Sequence, residues 1–154
     1  MLKLLFIKDQ LNQELLGMPL TQEDVARIIS SFDIIKQDGK RFTRCFYDCL
    51  FEYAPLIKPM FKKDRSVQEE HFFALLSLAV SNISRQDELT PVLIELGQKH
   101  KSFGVEENQF PLVKTAFMLA IEYELKANFN EAIKQAWSNY FDSLAEPMIL
   151  GLRQ

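Results

Sequence analysis

The residues best placed for chemistry are polar side chains that fall on apolar helical stripes. The sequence contains two histidines, His71 and His100. His100 continues a face formed by Leu93, Leu96 and Gly97, and Gly97 removes bulk one turn before it. An imidazole aimed at an apolar interior is either a core residue satisfied by a backbone carbonyl or a metal ligand. A zinc site wants three or four protein ligands, which one histidine cannot supply. One histidine is enough for a haem iron, because the porphyrin contributes the in-plane ligands. Gln68 lies one turn before Phe72 on one helix, and Tyr47 lies with Phe46, Leu50 and Phe51 on another. Taken singly, Gln68 reads as a solvated helix end, Tyr47 as a satisfied core hydroxyl and His71 as a solvent-edge side chain. Taken together, a tyrosine and a glutamine from two helices can converge on one small ligand. Each hydrogen bond there contributes on the order of 1 kcal/mol.

Cys45 and Cys49 stand four apart on one helix, a spacing that suits a disulfide badly. They read as buried thiols, with a redox switch as the alternative. No glycine-rich phosphate loop, Cys-x-x-Cys pair or Ser/His/Asp set is recognisable. Glu122, Glu124 and Lys126 read as a solvated helix end. The 13 phenylalanines would suit a flat aromatic cofactor, although aromatic stripes at helical spacing usually form plain core.

These side chains must be positioned by a single domain, which is what 154 residues predict. An apolar fraction of 47% with 25% charged residues predicts a globular chain with a core of its own. A net charge of −3 argues against a nucleic-acid partner, and no apolar run is long enough to span a membrane. The apolar run Leu4 to Ile7 is too short for a signal peptide, and two cysteines fit a reducing compartment, so a cytoplasmic setting is expected.

Helical spacing dominates and long apolar/polar alternation is absent, which predicts an all-α fold. Thr21 with Asp24 three residues on starts a first helix, and Asp38-Gly39 is expected to end it. A second helix is expected from about Lys40 to Tyr53, followed by a short turn bounded by Pro55 and Pro59. A third runs from about Ser66 to Ser84. The fourth is expected to start near Thr90, with Pro91 in its first turn, and to reach His100. The fifth spans about 106 to 126 and the sixth about 130 to 150. Residues 1–20 form an N-terminal extension and 21–154 the domain. The extension reads as a short packed helix, as a membrane or partner contact, or as a mis-assigned start upstream of Met18.

The segments Cys45 to Phe51, Pro55 and Pro59-Met60-Phe61 come in a telling order. They precede Leu96-Gly97-Gln98-Lys99-His100-Lys101-Ser102-Phe103-Gly104-Val105, then Phe110-Pro111-Leu112-Val113 and Gln135-Ala136-Trp137. In that order the chain resembles a globin over residues 21 to 150. It is most similar to the single-domain bacterial globins related to flavohaemoglobins, with neuroglobin next. The resemblance implies a three-on-three helical sandwich holding haem b. It implies His100 as the iron ligand, Phe61 stacked on the haem, and Tyr47 and Gln68 on the ligand side. Phe72 would crowd the ligand, Val105 and Phe110 would touch the haem, and His71 would lie at the pocket mouth near a propionate. Gln68 is preferred to His71 at the ligand position because the segment Leu75 to Ile83 then aligns without a gap. Two features depart from the flavohaemoglobin pattern: Phe110 replaces a tyrosine, and Leu152 stands where an acid is usual. Both argue against peroxidase-like chemistry.

The resemblance leaves three functions open. One is reversible binding of oxygen, carbon monoxide or nitric oxide, as in oxygen transport. The second is nitric oxide dioxygenase or nitrite reductase activity supplied by an external reductase. The third is a haem-based sensor signalling through the N-terminal extension, with a homodimer among the assemblies left open.

Overall fold

A computed structural model describes residues 20–154. The readings made for the N-terminal extension fall on residues 1–19 and lie outside the described residues. Among those described, six α-helices follow one another: α1 Gln22–Ile35, α2 Gly39–Tyr53, α3 Arg65–Ser81, α4 Gln86–Ser102, α5 Phe110–Leu125 and α6 Glu131–Leu152. They form a three-on-three sandwich. α4 packs along α6, α2 crosses α5, and α1 lies against α6. No helix among the described residues is long and apolar enough to cross a membrane.

The helix starts follow capping chemistry. Thr21 accepts from the Asp24 amide at 3.0 Å, and Asn130 accepts from the Ile133 amide at 2.9 Å. Two punctuation signals act differently from expectation. Asp38-Gly39 opens α2 rather than closing α1: Asp38 is the N-cap, accepting from the Arg41 amide at 3.0 Å, and Gly39 has ordinary helical dihedrals. Gly39 is small because the Phe73 ring occupies the space a side chain would need, with Phe73 Cζ 2.6 Å from the position of a Cβ. Pro91 lies inside α4, which begins a full turn earlier than expected, at Gln86. Proline there removes one intrahelical bond near the N-terminus, which the helix tolerates because it is anchored along α6.

The core is continuous through the sandwich. Ile28, Phe42, Leu50, Ile121 and Trp137 are fully buried. Phe117 meets Trp137 edge-on at 5.8 Å and Phe42 edge-on at 6.1 Å, tying α5 to α6 and α2. Trp137 Nε1 donates to Ser31 Oγ at 2.8 Å, and the Ser31 hydroxyl in turn donates to the Arg27 carbonyl at 2.6 Å. One turn on, the Tyr140 hydroxyl is buried with no hydrogen-bond partner among the described residues. Burial pushes that phenol well above its usual range.

These two polar groups predict opposite outcomes. Ser31→Ala strands a buried indole N–H and should cost about 1–3 kcal/mol in urea unfolding. Tyr140→Phe removes an unsatisfied group and should leave stability unchanged or raised, since the buried hydroxyl forms no bond to lose.

Glu124 corrects a second reading. It is buried, not solvated, and forms a bidentate pair with Arg41, whose Nε and Nη2 donate to its carboxylate at 2.9 Å each. This pair ties α2 to α5 across the layers, and it raises the Arg41 pKa.

Candidate functional site

The site is built on α2, α3 and the tight turn between them. Pro55 and Pro59 bound a 3-10 turn, Pro55–Met60, that releases the chain into an extended Phe61. The turn points Phe61 back at α2, where it meets Tyr47 edge-on at 5.7 Å and Phe51 edge-on at 5.3 Å. α3 then brings Gln68 over the same space. The result is a cavity of about 210 Å³. Its walls are the rings of Tyr47, Phe51 and Phe61, with Gln68 above and Lys58, Lys63 and Arg65 at its rim. Pockets that enclose drug-sized molecules run to roughly 300–1,000 Å³, so this chamber takes a small ligand as it stands.

Tyr47 is the chemically distinctive group in the cavity. Its side chain is buried, and burial pushes the phenol up to about 12, with the Glu69 carboxylate adding to the shift. The hydroxyl therefore keeps its proton at any ordinary pH and is a donor. Its protein contact is the Gln68 main-chain oxygen at 3.5 Å, at the long limit for a hydrogen bond. A ligand that accepts at a shorter distance would take this donor. Behind the cavity Phe72 stacks on Phe46 at 4.5 Å and meets Tyr47 at 6.1 Å, which fixes the tyrosine ring.

His100 lies on the last turns of α4, half-buried, and is not among the residues lining the cavity. Its Nδ1 is 2.7 Å from the Leu96 carbonyl. A carbonyl can only accept, so Nδ1 carries the hydrogen and, in the neutral ring, Nε2 keeps a free lone pair. The Val105 amide donates to the His100 carbonyl at 3.1 Å, which folds the α4–α5 connection back over the end of the helix. Phe110 opens α5, half-buried. His71 is exposed and lines no part of the cavity. The structure thus brings Tyr47, Phe61 and Gln68 together, places Phe72 behind them, and leaves His100, Val105 and Phe110 on the α4–α5 side.

Residue-level reading missed the cationic rim, because Lys58, Lys63 and Arg65 look like solvated loop charges in sequence. It also assigned Gly97 to the histidine's surroundings. Gly97 instead serves the helix crossing, where a Cβ would collide with the Met148 carbonyl of α6. Gly151 does the same from the other side against Ile94.

The two thiols are free and half-buried. Burial, then the neighbouring Cys49, push the Cys45 thiol from 9.0 up to about 11. Such a thiol is mostly protonated at pH 8.5 and holds about a hundredfold less thiolate than an unshifted one. Iodoacetamide labelling followed by mass spectrometry should show correspondingly slow alkylation at Cys45. Labelling at the rate of a free thiol would contradict the burial effect.

Comparison with known proteins adds to this geometry. The sequence pattern of the globin family ("Globin") matches residues 44–148. The chain is 26% identical over 133 residues to a flavohemoprotein of Bacillus subtilis, covering 84% of this chain and 33% of that protein. The chain therefore spans about a third of the length of that relative. It is 28% identical over 130 residues to an uncharacterized globin-like protein of Aquifex aeolicus, covering 84% of this chain and 92% of that one. The solved bacterial globin of Campylobacter jejuni superimposes with a TM-score of 0.76 at 24% identity, over 86% of this chain and 96% of that one. That last likeness concerns the fold alone, and the fold is the globin fold.

Proposed function

The chain belongs to the globin family, and on that footing we propose that it binds haem b and, there, a diatomic gas such as oxygen, carbon monoxide or nitric oxide. The observation that carries this is the state of His100. Leu96 holds Nδ1 and leaves Nε2 as an oriented lone pair at the end of a helix, the arrangement a metal-binding histidine requires. When bound, haem supplies an iron centre that takes up a diatomic ligand and can exchange electrons.

The chain's own residues set the rest. His100 tethers the group from the α4 side. Phe61 offers an aromatic face, with Phe72, Val105, Phe110 and His71 as further contacts at the pocket or its mouth. Tyr47 and Gln68 hold donors over the ligand chamber, while Phe51 and Phe61 keep water sparse there. Two donors stabilise a ligand that gains negative charge and slow its escape. Reversible oxygen binding in a cytoplasmic setting is the reading these residues support best.

A macrocycle needs more room than the present chamber, so its binding must displace side chains between Phe61 and His100. Ordering them around a tight ligand transfers binding energy to the folded state. Purified protein mixed with hemin should show a Soret band, a shift on reduction and a further shift with carbon monoxide. Its thermal midpoint should rise on loading. A colourless product that hemin does not stabilise would overturn the proposal.

The likeness to a flavohemoprotein supports a second reading, nitric oxide dioxygenation or nitrite reduction with electrons from an external reductase. It requires that a reductase return the ferric protein to the ferrous state. A ferric protein that no cell extract re-reduces would exclude it.

A further inference from the structure

We propose that the Pro55–Met60 turn and the end of α4 form a docking face for an acidic one-electron donor protein. The inference rests on the haem reading above and gives the external reductase a place to sit. Among the described residues, the two most exposed large hydrophobic side chains are Leu56 at 90% and Phe103 at 62%. Leu56 lies in the turn and Phe103 closes α4. The two segments touch: a Cβ on Gly104 would stand 3.9 Å from Met60 Cε, and Gln109 Nε2 donates to Met60 Sδ at 3.7 Å. Single exposed apolar residues are ordinary, but the two largest exposures on adjoining segments mark a contact surface.

Positive charge gathers on the same segments. Residues 54–63 carry Lys58, Lys62 and Lys63, residues 98–105 carry Lys99 and Lys101, and neither stretch holds an Asp or Glu. All five lysines are exposed. Most carboxylates flanking these stretches are engaged: Asp64 accepts from the Ser66 amide at 3.0 Å, Glu106 caps the turn before α5, and Glu107 pairs with Arg153. Glu95 offsets Lys99, and Glu52 is the remaining acid beside them. Elsewhere lysines alternate with acids, as Lys126 and Lys134 do with Glu124 and Glu131. With a net charge of −3 overall, the molecule carries a positive face on a negative body.

An apolar centre within a charged rim is the anatomy of a protein interface, and a small one suits brief electron-transfer encounters. A second copy of this chain is a poor occupant, because an isologous contact sets the lysines against their twins. An acidic partner is steered in instead. Position supplies the chemistry. Lys58 and Lys63 stand at the mouth of the Tyr47 cavity, and Lys99 and Lys101 flank His100. The partner's reduced centre gives up one electron, which takes haem iron from ferric to ferrous, and no atom is transferred.

The probe is a plant-type two-iron ferredoxin, an acidic one-electron donor. Its reduction of the ferric haem-loaded protein, followed by stopped flow under carbon monoxide, should slow steeply as salt rises. In Lys62→Glu/Lys101→Glu the rate at low ionic strength should fall about tenfold, while carbon monoxide association with the ferrous protein stays at the parent rate. Lys126→Glu/Lys134→Glu changes the net charge equally and should leave reduction within about twofold of the parent. Lys62→Arg/Lys101→Arg should keep the parent rate. Independently of electron transfer, oxidised ferredoxin titrated into the carbon monoxide-bound protein should shift the backbone amides of residues 56–63 and 99–105. Reduction that ignores salt, or that falls equally in both glutamate variants, would overturn the proposal. So would amide shifts confined to other residues, binding to phosphatidylserine vesicles in place of ferredoxin, or a dimer that Phe103→Ser dissolves. If hemin yields no Soret band, it is the haem reading that fails, and ferredoxin titration of the purified protein still decides whether this face docks an acidic partner.

Discussion

A single methyl group at position 97 should cost the protein about 3 kcal/mol. Helix propensity alone predicts the opposite, since alanine is favoured over glycine by about 1 kcal/mol inside a helix. Packing decides the sign. A Cβ on Gly97 meets the Met148 carbonyl oxygen, with its carbon at 2.8 Å. A Cβ on Gly151 meets the Ile94 carbonyl oxygen, with the Gln98 amide nitrogen at 3.0 Å. Each of these partners is main chain, so no rotamer change relieves the clash, and the helices must separate along the most extensive helix contact among the described residues. Gly97→Ala and Gly151→Ala should each lower the urea midpoint strongly. Because His100 lies one turn beyond Gly97, the first variant should also hold hemin less tightly. A loss below about 1 kcal/mol in either variant would show that the crossing is looser than drawn.

Replacing Tyr47 and Gln68 together by leucine should speed oxygen dissociation about thirtyfold. Two hydrogen bonds to a ligand that carries partial negative charge are together worth about 2 kcal/mol, and each 1.4 kcal/mol is a factor of ten. Tyr47 should account for most of the change. Its phenol keeps its proton up to about pH 12 and has only the 3.5 Å contact to Gln68 to give up. The Gln68 side chain must compete with solvent at a half-buried position. Stopped-flow dissociation from the double variant at the parent rate would remove both residues from ligand stabilisation.

The helices were legible because their signals are local. Thr21 and Asn130 announce caps, and the stripes of α5 and α6 repeat at helical spacing without interruption. Asp38-Gly39 misleads because a capping aspartate and a small residue occur at either end of a helix. The Phe73 ring that explains Gly39 arrives from 34 positions away. Glu124 misleads for a similar reason: Glu122 and Tyr123 beside it are exposed, and nothing nearby in sequence reveals that Arg41 waits on another helix. Tyr47 and Gln68 line one cavity because a short turn joins the two helices that carry them, and Phe61 follows that turn; the sequence offered their convergence only as one reading, and Phe61 only through the resemblance. The cationic rim was not legible, because which charges share one opening is a property of three-dimensional neighbours.

The bond from Trp137 to Ser31 joins side chains 106 positions apart. During synthesis α1 must therefore wait until residue 137 has left the ribosome before its buried serine can accept the indole. Until then the apolar face of α1 has no α6 to cover it. Ribosome-tethered chains truncated before position 137 should accordingly be protease-sensitive and recruit chaperones, with protection gained only when the last helix emerges.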